Sequence, residues 1–103
     1  MYKLEILPIA KKDIDDIIYY IYKHFKNPIA AQKLSQEFIS GANTILEFPY
    51  GTPIYNQLNK LNYEYRSKKI KNFLMFYTIN ENEKIITIVR VLYNKMNVNQ
   101  ILN

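Results

Sequence analysis

The sequence predicts one α+β domain: an N-terminal strand, an antiparallel two-helix hairpin, a curved antiparallel sheet and a short C-terminal helix. Three observations carry this reading. The chain opens on a short alternation of apolar and polar residues. Two blocks with helical apolar spacing follow, separated by Asn27-Pro28. Three apolar segments then succeed one another between Tyr63 and Met96, with short polar breaks, as strands of a meander do.

Tyr2 to Leu7 sets Tyr2, Leu4 and Ile6 against Lys3 and Glu5, the period of a half-buried strand. Pro8 ends it. From Ala10 to Phe25, Ile14, Ile17, Ile18, Ile21 and Phe25 fall on one helical stripe. Asp13, Asp15 and Asp16 are placed early in that helix, where its dipole favours negative charge, and His24 in its last turn, where a cation is favoured. Asn27 suits an N-cap and Pro28 a first helical position, so a second helix is expected from Pro28 to Glu47. Its buried stripe is Ala31, Leu34, Phe38, Ala42 and Ile45. Gly41 and Ala42 are small enough for the two helices to approach closely.

Phe48-Pro49-Tyr50-Gly51 stops the second helix, and Thr52 to Asn62 is polar and turn-rich. A strand is expected around Tyr63 to Ile70, a tight turn at Lys71-Asn72 and a strand from Phe73 to Ile79. The last is apolar almost throughout, so it is expected at the centre of the sheet with both faces covered, another chain being one candidate cover for the second. Asn80 to Lys84 turns the chain into a last strand, Ile85 to Leu92. Asn97 is placed to cap a final helical turn with Val98, Ile101 and Leu102 on its apolar side.

At 103 residues the chain fits one domain, 1–103, with its own core. It has no cysteine and a single histidine, which excludes disulfides, thiolate metal sites and multi-histidine sites. No cofactor is expected. There is no signal-peptide core, and no run approaches the roughly 18 apolar residues of a membrane span, so a cytoplasmic protein with no membrane partner is expected. The net charge of +5 is unevenly spread. Met1 to Asn59 holds six Lys against six Asp or Glu, whereas Lys60 to Asn103 holds eight Lys or Arg against three Glu. That asymmetry suits a polyanionic partner, nucleic acid or an acidic protein. It equally suits a basic solvated face.

No glycine-rich phosphate loop, nucleophile elbow or zinc spacing occurs. What remains is a basic and tyrosyl set on the sheet: Arg66, Lys68, Lys69, Lys71, Arg90, Tyr93 and Lys95. Fixed cations stabilise the charge that develops on a phosphorane, and a Lys or Tyr crowded by cations moves towards proton transfer near neutrality. Such a set can cut RNA without a metal. Lysines that merely blunt a sheet edge look the same in one dimension. Arg90, between Val89 and Val91, must be solvated or paired, either in an anion-binding groove or with a helix carboxylate such as Glu47 or Asp16.

The order of parts resembles the RelE/ParE toxin superfamily over essentially the whole chain. The likeness rests on Leu46-Glu47-Phe48-Pro49, Tyr65-Arg66, Asn72-Phe73-Leu74-Met75-Phe76-Tyr77 and the run from Ile88 to Asn97. The resemblance implies the toxin of a type II toxin–antitoxin pair, neutralised by an acidic antitoxin that wraps over it. RelE-like members cleave mRNA on the ribosome; ParE-like members inhibit DNA gyrase. Ribosome-dependent cleavage is the leading expectation, with Arg66, Tyr93 and Lys95 as catalytic candidates and Lys68, Lys69, Lys71 and Arg90 binding substrate. Gyrase inhibition through the helical hairpin and C-terminal tail is the alternative, and an inactive antitoxin-binding protein a third. RelE-like chains commonly place Arg after the aromatic residue that opens the central strand; here that residue is Leu74. Tyr93, Asn94 and Lys95 stand where the nucleases often carry His or Arg after the last strand.

Overall fold

The computed structural model describes residues 1–55, 64–96 and 98–102. Its elements are β1 (Lys3–Ile6), α1 (Pro8–Phe25), α2 (Pro28–Glu47), β2 (Arg66–Ile70), β3 (Phe73–Asn80), β4 (Ile85–Tyr93) and α3 (Val98–Leu102). The strands form one sheet in the order β1-β4-β3-β2. The β2-β3-β4 meander is antiparallel, and β1 adds to β4 in parallel. The expected cap residue Asn97 and the expected start of β2 at Tyr63 lie outside the described residues.

Pro8 opens α1 rather than merely ending β1, so the helix begins two residues before the expected Ala10. The missing proline N–H is one that no first-turn residue would bond. This moves Asp13, Asp15 and Asp16 beyond the first turn, which holds no acidic residue. Lys26 takes a left-handed conformation (φ 47°) and breaks the helix. Asn27 then caps α2, its side-chain oxygen accepting from Ala30 N–H at 3.1 Å. Ala31, Leu34, Phe38, Ala42 and Ile45 are all buried, as their spacing requires. Phe25 departs from its expected stripe and is 64% exposed. Gly41 meets the sheet and not the other helix: a Cβ there would collide with the Ile70 side chain, 3.1 Å from Cγ1.

Two apolar clusters form on the two faces of the sheet. On the helix side, Phe73, Met75, Tyr77 and Ile79 of β3 join Ile86, Ile88 and Val91 of β4 and the buried stripes of α1 and α2. On the other side, Phe76 and Leu74 pack with Leu92, Tyr65, Tyr55 and, from α3, Val98, Ile101 and Leu102. The central strand is therefore covered on both faces, but the chain's own C-terminal helix does much of the covering for which another chain was one candidate. Ile88 and Val91 reach the same face although they are three residues apart. The pairings Tyr77↔Ile88 and Phe76↔Arg90 leave Val89 as the extra residue of a β-bulge, which resets the alternation.

Candidate functional site

Both arginines of the chain are engaged in internal contacts. Arg66 stands opposite Tyr77 at the start of β2. Its Nη1 donates to the carbonyl of Thr52, and its guanidinium lies over the Tyr50 ring, 5.0 Å from the centroid. Thr52 and Tyr50 belong to the segment that leaves α2, so Arg66 straps that segment to the sheet. Tyr77 helps: its hydroxyl donates to Pro49 O at 2.7 Å and bonds the Thr52 hydroxyl. Burial pushes the Tyr77 phenol up.

Glu81, in the β3–β4 turn, is the polar hub of the same end. It accepts from Lys84, from Tyr50 Oη at 2.6 Å and from Tyr2 Oη at 2.8 Å. Those donors hold its carboxyl down at about 2, the Lys84 bond contributing most. The same carboxylate pushes Tyr50 up to about 12. Tyr2 is raised for the same reason.

Arg90 pairs with a helix carboxylate, but with Asp13 and not with Glu47 or Asp16. Its Nε and Nη2 donate to the two Asp13 oxygens at 2.8 and 2.9 Å, and Val91 N–H donates to Asp13 at 3.0 Å. The reason is topological. The β1–β4 ladder closes with Leu7 N–H on Ile88 O, and beyond it the edge of β4 needs an acceptor. Asp13, three residues after buried Ala10 and four before Ile17, lies at the border of the packed face of α1 and supplies one. Asp16 bonds exposed Lys12 instead, at 2.7 Å. The bidentate bond raises Arg90 further above its ordinary value.

The remaining candidates gather at the opposite end of the sheet. Ile70 and Tyr93 both pair with Phe73, and Asn94 N–H donates to Asn72 O at 2.9 Å. The β2–β3 turn and the exit of β4 are thereby tied together, and Lys71, Asn72, Tyr93, Asn94 and Lys95 share one end. Lys68 and Lys69 sit within β2, on opposite faces by alternation. Lys68, Lys69 and Lys71 line a shallow cleft of about 280 Å³ against Glu37, Ser40 and Thr44 of α2. Lys71 lies 3.4 Å from Glu37, with both side chains partly exposed. Tyr93 is 39% exposed and packs edge-on against Phe73, 5.9 Å between centroids.

The structure thus brings Lys68, Lys69, Lys71, Tyr93 and Lys95 to one end and leaves Arg66 and Arg90 away from it. Arg66 is registered with Tyr77 and Tyr93 with Phe73, four residues along β3, or roughly 13 Å before the lateral step between strands. Leu74 packs into the second apolar cluster, between Lys69 and Leu92 in register.

A second surface had no sequence motif to mark it. With the isoleucine stripe of α1 turned to the sheet, Tyr19, Tyr20, Tyr22 and Phe25 remain exposed by half or more near the tip of the hairpin. Ile29 extends the patch at 77% exposure. Tyr20 stacks on His24 at 4.1 Å, and Lys23 lies over Tyr19. The signal was the tyrosine phase relative to isoleucine in residues 14–25. Among the described residues no cluster of His, Asp or Glu is placed to hold a metal ion, so the early acidic run of α1 does not form one. Among them, too, no helix is long and apolar enough to cross a membrane.

Strand, helical hairpin, three-stranded meander and terminal helix define the toxin fold of the RelE/ParE superfamily. A chromosomal ParDE toxin–antitoxin system from P. aeruginosa contains a chain of this fold, with TM-score 0.69 and 18% identity over 90% of this chain and 96% of that one. The archaeal RelE–RelB complex from Pyrococcus horikoshii OT3 contains another, with TM-score 0.63 and 13% identity over 91% and 96%. At such identities the likeness is one of fold. The pattern of the ParE toxin of type II toxin–antitoxin systems (parDE) matches residues 4–98, and the chain belongs to that family. No protein of curated function matches it in sequence.

Proposed function

We propose that this chain is the toxin of a type II toxin–antitoxin pair and that it acts as a non-enzymatic inhibitor of DNA gyrase. The observation that carries the choice is the state of the arginines. RNA cleavage without a metal needs cations aimed at the scissile phosphate. Arg66 is spent on Thr52 and Tyr50, Arg90 on Asp13, and Leu74 occupies the third expected position within an apolar cluster. The family match favours the same side. The exposed aromatic tip of the hairpin, rich in the residues that anchor protein interfaces, is the surface assigned to gyrase.

Neutralisation falls to a cognate antitoxin with an acidic segment. One structural relative is named as a ParDE toxin–antitoxin system and the other as a RelE–RelB complex, and the excess positive charge of the C-terminal half is complementary to such a segment. The cleft of about 400 Å³ lined by Leu7, Ile9, Val89, Arg90 and Leu102 offers apolar surface beside it.

The test places purified chain in a gyrase supercoiling assay and in a translating extract. Inhibited supercoiling with intact mRNA, lost in a Tyr20→Ala/Phe25→Ala variant that still folds, is the expected result. Ribosome-dependent cuts in mRNA that disappear in Tyr93→Phe and Lys95→Ala, with gyrase unaffected, would overturn it in favour of catalysis by Tyr93 and Lys95.

A further inference from the structure

We infer that the lysine-rich end of the sheet is a contact site for the phosphate backbone of duplex DNA. The charge of the chain leads there. Of the eight cations from residue 60 onward, Arg90 is neutralised by Asp13 and Lys84 by Glu81, while Arg66 is committed to a carbonyl and a ring. Lys60 lies outside the described residues. The other four, Lys68, Lys69, Lys71 and Lys95, all stand at one end, held together by the Asn94–Asn72 bond. Glu37 is the one carboxylate in the cleft that Lys68, Lys69 and Lys71 border; its side chain is 31% exposed and pairs with Lys71 at 3.4 Å, while among the described residues Lys68, Lys69 and Lys95 join no ion pair.

The shape suits a rod of phosphates more than a single anion. Lys68 and Lys69 alternate across the sheet, Lys71 crowns the turn with φ 54°, and Lys95 follows β4, which β3 separates from β2. The cations are spread over a sheet end and do not converge on one point. From Lys68 to Lys71 the extended chain advances ~10 Å, the axial rise of about three phosphates of one DNA strand. Exposed Tyr93 lies among them and can add a sugar or phosphate hydrogen bond. The choice of DNA over RNA rests on the gyrase reading, because gyrase presents duplex DNA to whatever binds it. A toxin seated on the enzyme by its hairpin tip would use this second surface on the DNA that the enzyme holds.

The experiment uses the full chain without gyrase and a labelled duplex of about 20 base pairs, read by fluorescence anisotropy across a salt series. Four phosphate contacts predict a log–log salt slope of roughly −3 to −4, hence about a 100-fold loss of affinity between 50 and 200 mM salt. Lys69→Gln/Lys71→Gln reduces that slope by about two and weakens binding equally for unrelated sequences. Lys11→Gln/Lys23→Gln, with the same loss of net charge on α1, leaves the slope unchanged. Equal losses in the two double variants would overturn the site, as would tighter, lysine-dependent binding of single-stranded RNA or no binding at 50 mM salt. Because gyrase is absent, such a failure leaves the gyrase reading standing. Intact supercoiling in the presence of a chain that binds DNA through these lysines would instead remove the gyrase reading alone.

Discussion

The two ends of the sheet are built from the same kinds of residue and treat them in opposite ways. At the end where β3 turns into β4, Arg66, Lys84, Glu81, Tyr2, Tyr50 and Tyr77 satisfy one another and the backbone of residues 49–52. At the end where β2 turns into β3, Lys69, Lys71, Tyr93 and Lys95 are exposed and Lys68 half-buried, and Glu37, paired with Lys71, is the one carboxylate in the cleft that the three β2 and turn lysines line. A cation that is paired inside the fold is architecture. A cation left beside others of its sign costs stability by mutual repulsion and stays open to negative charge from outside. Counting arginines and tyrosines along the sheet cannot separate the two uses; partners can.

Three measurements bear on that contrast. The largest effect is expected from the two tyrosines that occupy corresponding faces of the two ends. Tyr77 is fully buried, and Tyr77→Ala should cost about 3–5 kcal/mol in urea unfolding. Tyr93→Ala should cost about 1 kcal/mol, the worth of an exposed edge-on aromatic pair. Similar costs at both positions would mean that the lysine-rich end is as structural as the other.

The next effect concerns pH. Glu81 is depressed from 4.5 to about 2 in the folded chain, so its stabilisation is fully present above about pH 4.5 and is lost as pH falls through about 2. Tyr50 is raised from 10 to about 12; its contribution is complete below pH 10 and disappears as pH rises through about 12. Glu81→Gln should flatten the stability profile in both windows, followed by circular dichroism. An unchanged acid limb would show that the hub does not tie this end together.

The smallest effect is the counterpart at the other end. Lys69→Gln/Lys71→Gln should alter stability by no more than about 0.5 kcal/mol in either direction, the range of ordinary surface changes. A marked loss in thermal unfolding would mean that these lysines serve the fold.

Much of this architecture was legible from periodicity. Alternation marked β1, apolar segments between short polar breaks marked the meander, the Ile14–Ile17–Ile18–Ile21 spacing marked the packed face of α1, and Asn27-Pro28 marked the junction of the helices. What stayed hidden depended on contacts distant in sequence. A helix carboxylate was one of two readings for Arg90, and choosing Asp13 required knowing that α1 begins at Pro8 and that β1 stops pairing at Ile88. Arg66 gave no local sign of its fate, because its partners are a carbonyl and a ring contributed by residues 50 and 52. The role of Gly41 was misplaced because a small residue records that something approaches closely without recording what. Lys68, Lys69 and Lys71 could be grouped from the sequence because they lie within four residues; Lys95 joins them through strand pairing.

The bulge at Val89 has one more effect. Run in unbroken register, β4 would set Arg90 opposite Met75, inside the apolar core; the extra residue sets it opposite Phe76, where Asp13 can meet it. It also makes the two halves of β4 independent of each other's phase. Ile85–Ile88 are locked to β1 and to the Glu81 end, while Arg90–Tyr93 are locked to the lysine-rich end, and Val89 belongs to neither ladder. A sequence that dropped this one residue could keep every strand pairing on either side of it. The lysine-rich end can therefore be re-phased without the frame that carries it being re-registered.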